Sequence, residues 1–121
     1  MKTCLVIDDS DIVRKVARRI VENLNFQASE AADGQPALDC CKAAMPEAIL
    51  LDCSMPTMGS TEFLTTLREM EEGAKPIIIY CATENDTGDI SRALTAGADD
   101  YVLKPFDRES IRAKFAACGL L

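Results

Sequence analysis

Ile49-Leu50-Leu51 runs straight into a carboxylate, Asp52, and Met55-Pro56 follows closely. A strand with one wet face alternates apolar and polar residues. A short unbroken apolar run instead reads as a strand buried on both faces, the pattern of parallel sheets covered by helices. Thr3-Cys4-Leu5-Val6-Ile7 and Pro76-Ile77-Ile78-Ile79-Tyr80-Cys81 have the same character. An acid at the carboxyl end of such a strand lies where open α/β sheets bind their ligands. Taken alone, Asp52 reads equally well as a loop or cap residue, because Asp is common in turns.

Amphipathic stretches separate the apolar runs. After the strand over 3–7, Asp11 is expected to cap a helix reaching Leu24. Val13, Val16, Ile20 and Leu24 would form its apolar face, and Arg14, Lys15, Arg18 and Arg19 the rest. Residues 26–31 read as a second strand. Asp33-Gly34 then turns into a helix with Ala37, Leu38, Cys41 and Met45 inward, stopped by Pro46. The central strand over 48–51 follows. A helix over 60–71 carries Phe63, Leu64, Leu67 and Met70, and Gly73 ends it. The strand over 76–81 leads to a helix over 86–96 with Ile90, Ala93 and Leu94 inward and Gly97 as its C-terminal glycine. Residues 101–103 form a fifth strand. A last helix over 107–117 carries Ile111, Phe115 and Cys118 on one face.

Strand and helix thus alternate five times. The expected fold is a single α/β domain over 1–121, a doubly wound (βα)5 unit with a five-stranded parallel sheet and helices on both faces. All strand carboxyl ends then share one edge.

Charge and composition narrow what that edge can do. A net charge of -7 argues against direct nucleic-acid binding, which needs a positive face, and suits a metal cation or a basic partner. The chain has no histidine, and its six cysteines include no C-x-x-C pair. This removes Ser-His and Cys-His nucleophile systems and argues against zinc. Free buried thiols are the simple reading of the cysteines, Cys53 and Cys81 included, although a redox role for those two stays open. The start lacks signal-peptide architecture, and no apolar run is long enough to span a membrane. The expectation is a soluble cytoplasmic protein without membrane association.

Asp8 and Asp9 fall after the first strand and Asp52 after the third. Cys81, Ala82 and Thr83 fall at the fourth, and Lys104 follows the fifth. Three crowded carboxylates repel one another unless a cation neutralises them. Oxygen ligands without a His or thiolate cluster favour Mg²⁺, which keeps waters and leaves room for a phosphoryl oxygen. An Asp carboxylate can attack phosphorus to give an aspartyl phosphate, with Mg²⁺ and Lys104 stabilising the equatorial oxygens.

Asp8-Asp9, Leu51-Asp52 with Met55-Pro56, Ala96-Gly97-Ala98-Asp99-Asp100-Tyr101 and Lys104-Pro105-Phe106 resemble the receiver domain of bacterial two-component response regulators. The likeness covers the whole chain, and the stand-alone, CheY-like form with no output domain is the expectation. It implies that Asp52 is the phosphoacceptor and that Asp8 and Asp9 are the acid pair around Mg²⁺. Asp52 and the backbone carbonyl of Ser54 would be the remaining protein ligands. Lys104 would contact the phosphoryl group, with a cis bond to Pro105. Tyr101 would be the aromatic switch residue, and Ser54 and Glu84 would tune autodephosphorylation. The resemblance further implies a phosphoryl donor, a sensor histidine kinase or phosphotransfer protein, docking on the first helix with its Arg and Lys residues. A target protein, such as a flagellar switch component in chemotaxis or a kinase, would bind the face made by the fourth helix, fifth strand and fifth helix. A monomer that catalyses only its own phosphorylation and dephosphorylation is expected.

Two departures stand out. The switch Thr/Ser position holds Ala82, which has no hydroxyl to donate; Thr83 could substitute, or Cys81 could claim the position if the alignment slips by one. The family's Asp-Gly after Met-Pro-x-Met reads Gly59-Ser60, which predicts a repacked loop. The sequence also leaves two competing readings open. Ala82 keeps alive a degenerate receiver that binds partners without phosphorylation. A phosphatase of the haloacid-dehalogenase type would need a second Asp where Ser54 stands.

Overall fold

The computed structural model describes residues 2–83 and 86–121. Its elements run β1 (Thr3–Ile7), α1 (Asp11–Asn23), β2 (Gln27–Ala31), α2 (Gly34–Ala43), β3 (Ala48–Asp52), α3 (Ser60–Glu69), β4 (Ile77–Ala82), α4 (Thr87–Ala96), β5 (Asp100–Leu103) and α5 (Arg108–Ala117). The strands form one sheet in the order β2-β1-β3-β4-β5, and every pairing is parallel. This is the doubly wound α/β arrangement expected from the alternation. Its chain order reverses between β1 and β3, where such sheets open a crevice.

β3 is central, and all five of its residues are buried, Asp52 among them. Successive side chains of a strand point to opposite faces. Leu5, Ile7, Ile49, Leu51, Ile78, Tyr80 and Ala82 therefore enter one core, with residues of α2, α3 and α4 such as Leu38, Phe63, Leu67 and Ala93. Cys4, Val6, Leu50, Ile79, Cys81 and Val102 enter the other, against Ile20 and Val21 of α1 and Ile111 and Phe115 of α5. Phe26 sits just ahead of β2 rather than within it. It closes the second core edge-on against Phe115, with ring centroids 5.1 Å apart.

Several boundaries and faces differ from the sequence expectation. The N-cap of α1 is Ser10, whose hydroxyl accepts the Val13 N–H. Asp11 is instead the first helical residue, paired with Arg14 at 2.5 Å. The buried stripe of α1 is Ala17, Ile20, Val21 and Leu24. Val13 is only half-buried, Val16 is 49% exposed, and Ile12 is 78% exposed. Leu94 is also outward, and Ala93 is the buried residue of α4. α3 ends at Glu69 because Met70 adopts an extended backbone. Gly73 therefore lies in the turn that follows, where a Cβ would stand 1.9 Å from the Leu67 carbonyl oxygen.

One side chain ties that turn to the far end of α4. Arg68 donates to the carbonyls of Gly97, Gly73 and Pro76 and to Asp99. Asp99 in turn accepts the Ile78 N–H. Gly97 has φ 138, and a Cβ there would meet Arg68 Cγ at 2.8 Å. Glycine is needed on both counts.

Candidate functional site

The register of the sheet builds the site. Ile7 pairs with Leu51, so Asp8 and Asp52 come side by side one step further on. Ala82 pairs with Leu103, and its carbonyl accepts the Lys104 N–H at 2.8 Å. By strand alternation Asp8, Asp52 and Lys104 follow Val6, Leu50 and Val102, on the α1–α5 side. Carboxylate oxygens of Asp8, Asp9 and Asp52 lie within 4.8 Å of one another. Asp9 is exposed, whereas Asp8 and Asp52 are buried.

Lys104 Nζ donates to Asp52 Oδ1 and stands 3.5 Å from Asp8 Oδ2. Asp52 Oδ2 is the buried side-chain oxygen left without a partner among the described residues. Burial raises the Asp52 carboxyl above its ordinary range. Lys104 and the Ser54 N–H pull it down, and the Asp8 charge pushes it up. Burial opposes the charge on Lys104, but the bond to Asp52 and the charges of Asp52 and Asp8 more than offset it, so its pKa is raised. Lys104 is thus a fixed cation facing two buried acids.

The loop after β1 is firmly held. Asp8 N–H donates to the Ala31 carbonyl at 3.1 Å, and Asp8 Oδ1 accepts the Ser10 N–H at 2.9 Å. Arg14 donates to the Asp8 carbonyl at 2.7 Å and pairs with Glu30 at 2.9 Å. The donor set fits a hard divalent cation: three carboxylates, one with an unpartnered buried oxygen, and no imidazole.

The structure separates the remaining expected residues. Ala82 is fully buried at the end of β4. Tyr101 packs at the margin of the core that contains Ala82, so the two share a sheet face, and the Lys114 ammonium sits 4.7 Å from the Tyr101 ring centroid. Thr83 is exposed just beyond β4, as is Ser54 beyond β3. Glu84 lies outside the described residues. The Lys104–Pro105 bond is cis, as expected. Cys81 pairs with Asp52 in register and accepts the Cys53 N–H on its carbonyl. Its thiol is pushed up, mainly by burial. Burial also raises Cys4 to about 12 and Cys41 to about 11, which makes these thiols poor nucleophiles.

Gly59 has φ -66 and ψ 155, with nothing within 4 Å of a would-be Cβ, so the displaced glycine uses none of its conformational freedom. Ser60 opens α3, and its hydroxyl donates to the Asp52 carbonyl at 3.1 Å. The sequence expectation gave no role to Tyr80, which is fully buried and donates to Asp89 Oδ2 at 2.6 Å. A signal was present: a tyrosine in an otherwise aliphatic buried strand must find a partner for its hydroxyl.

Three acids and a lysine at the crevice of a 2-1-3-4-5 sheet are the arrangement of one class of signalling domain. The family model described as "response regulator receiver domain" matches residues 4–116, and the chain belongs to that family. It is 33% identical over 110 residues to the chemotaxis protein CheY of Halobacterium salinarum, covering 91% of this chain and 90% of that protein. It is also 33% identical to the transcriptional regulatory protein SrrA of Staphylococcus aureus, of which it spans 43% while 88% of this chain is covered. Among solved structures, Vibrio cholerae CheY4 superposes with TM-score 0.90 at 26% identity, covering 97% of this chain and 98% of that one. The receiver domain of a Pseudomonas aeruginosa sensor histidine kinase, whose active-site cleft holds a magnesium ion, superposes with TM-score 0.87 at 26% identity, covering 96% and 95%.

Proposed function

We propose that this chain accepts a phosphoryl group from a phosphohistidine on a sensor histidine kinase or phosphotransfer protein, onto Asp52. The unpartnered, buried Asp52 Oδ2 beside Lys104 carries this reading. Lys104 holds Oδ1, which leaves the second oxygen to attack phosphorus. The O–P bond forms as the P–N bond to the donor breaks, and the electron pair returns to the imidazole. Lys104 then faces the charge on the equatorial oxygens. Asp8, Asp9, Asp52 and the Ser54 carbonyl would hold Mg²⁺, which would neutralise the crowded acids and the incoming phosphoryl charge.

The donor docks beside the site on α1, by its apolar side. Arg14 and Arg18 are engaged with Glu30 and, for Arg18, Glu22. Exposed Ile12 and Val16, with Val13, line a groove with Lys104, Pro105 and Phe106. The α4-β5-α5 face then meets the target. Exposed Leu103 and half-buried Tyr101 belong to it, and the relation to the CheY proteins supports a chemotaxis pathway.

A second reading has its own observation. Ala82 is buried without a hydroxyl, which favours a receiver that binds its partner whether or not it is phosphorylated. Intact mass after incubation with Mg²⁺ and acetyl phosphate decides between them. One added phosphoryl group, absent with EDTA and in Asp52→Asn, supports the first reading. No adduct, together with no response to beryllofluoride, leaves the second.

A further inference from the structure

Asp100, the first residue of the edge strand β5, ties Tyr101 to α5 in two ways. Its Oδ1 accepts the Tyr101 backbone N–H at 2.8 Å. The same oxygen accepts the Lys114 ammonium at 3.0 Å. That ammonium lies 4.7 Å from the centroid of the Tyr101 ring. One carboxylate oxygen therefore fixes both the backbone of Tyr101 and the cation over its ring. The face of an aromatic ring carries partial negative charge, so a tethered cation favours the ring position beneath it. Asp100, Tyr101 and Lys114 are all half-buried, and salt screens such groups less than fully exposed ones.

On its inward side the ring meets apolar groups. Tyr101 packs against the core that contains Ala82, Ala93 and Ala98, and Ala82 brings a methyl group where a hydroxyl was expected. On the outward side, a groove of about 420 Å³ lined by Tyr101, Leu103, Pro105, Ser110 and Lys114 adjoins the ring. The charge that bears on the ring thus comes from α5.

We infer that Lys114 is a positioning residue that holds the Tyr101 ring in its half-buried place beside α5 and opposes its inward movement, in a chain whose position 82 carries no hydroxyl. The inference rests on the proposed receiver reading, with Tyr101 as the aromatic residue that moves. Inward movement toward Ala82 separates the ring from the ammonium, while Asp100 keeps the ammonium where it is. Removing the cation therefore shifts the ratio of the two ring positions toward the inward one by about two- to fivefold. Because the filled site favours the inward ring, the same change tightens beryllofluoride binding by up to that factor.

The full chain labelled with ring-¹³C tyrosine tests this by NMR, with and without Mg²⁺ plus beryllofluoride. The chain has two tyrosines, and the fully buried Tyr80 serves as the internal reference once Tyr101→Phe has assigned the pair. In the wild type, ring protons of Tyr101 are expected to contact the Lys114 side chain, and contact with the Ala82 methyl should strengthen when the site fills. In Lys114→Met without ligand, the Ala82 contact is already stronger, Tyr80 is unmoved, and half-saturating beryllofluoride falls about two- to fivefold. Lys114→Arg, which keeps a cation, restores wild-type behaviour. Asp100→Asn keeps an oxygen for the Tyr101 N–H but loses the charge. It shifts the ring contacts in the same direction and serves should the Lys114 variant fold poorly. A purely structural role for Lys114 would lower stability without tightening beryllofluoride binding. Ring contacts that stay at their wild-type strength in Lys114→Met and Asp100→Asn overturn the inference. So does a wild type whose amides at 52–54 respond to beryllofluoride while Tyr101 does not. Silence at both, with no phosphoryl mass gained, removes the receiver reading itself and this inference with it.

Discussion

The two faces of the sheet meet at Asp52 and treat it differently. On the α1–α5 side, Asp8, Asp52 and Lys104 form a tight charged cluster, with a loop locked by Ser10, Arg14 and Glu30. On the α2–α4 side, the hydroxyl expected at position 82 is missing, and the buried Tyr80 donates to Asp89 in the first turn of α4. The first face carries the cluster that the proposed phosphoryl transfer would use, and charge geometry allows few solutions to holding a cation and a phosphoryl group. The second face would carry the change of shape in the proposed receiver, a task that many combinations of packing and hydrogen bonds can do. Divergence from the family pattern therefore collects on the second face.

Four substitutions sharpen or break that contrast. Asp52→Asn is expected to abolish phosphoryl uptake from acetyl phosphate, read by intact mass; uptake in this variant would move the acceptor elsewhere. Lys104→Ala leaves Asp8 and Asp52 as buried charges without their cation. Denaturant unfolding at neutral pH without metal should show a loss of about 3–5 kcal/mol, partly recovered by added Mg²⁺ because ligand binding favours the folded state. Ala82→Thr tests the other face. That position is fully buried, so the larger side chain should cost about 1–3 kcal/mol by overpacking. A neutral outcome would mean that the face has kept room for the hydroxyl.

The smallest effect belongs to Glu30→Gln, expected to cost on the order of 1 kcal/mol near neutral pH. The Arg18 hydrogen bond, with a smaller contribution from Arg14, holds the Glu30 carboxyl below its ordinary value against the opposing effect of burial. The unfolded chain therefore binds more protons in the window between the two values. The stabilisation is fully present above the unfolded pKa and is lost as pH falls through the folded one. Stability curves of wild type and variant should converge in acid; a constant gap down to the lowest pH would reject the ionic origin.

The parallel sheet and the convergence of Asp8, Asp9, Asp52 and Lys104 were legible because each depends on a local pattern. Three apolar runs marked the buried strands, and acids and a lysine at strand ends marked the site. The inward face of α1 was less legible. Val13 and Val16 share helical spacing with Ile20, but the buried stripe is turned toward Ala17 and Val21, and hydrophobicity alone does not reveal that. The Tyr80–Asp89 bond joins residues on different elements, so no periodicity announces it. The Ser60 bond to Asp52 appears only once α3 is placed against the end of β3.

Arg68 gives the same helix a second character. Its guanidinium fastens the carbonyl of Gly97, directly after the last turn of α4, to the turn before β4. At the opposite end, Asp89 hangs from Tyr80 by one hydrogen bond. A helix of ten residues, about 15 Å long, is thus hinged at one end and latched at the other. Arg68 is the natural fulcrum for any displacement at the latch, and exposed Leu94, nearer to it, would sweep a shorter arc than the turn at Thr87.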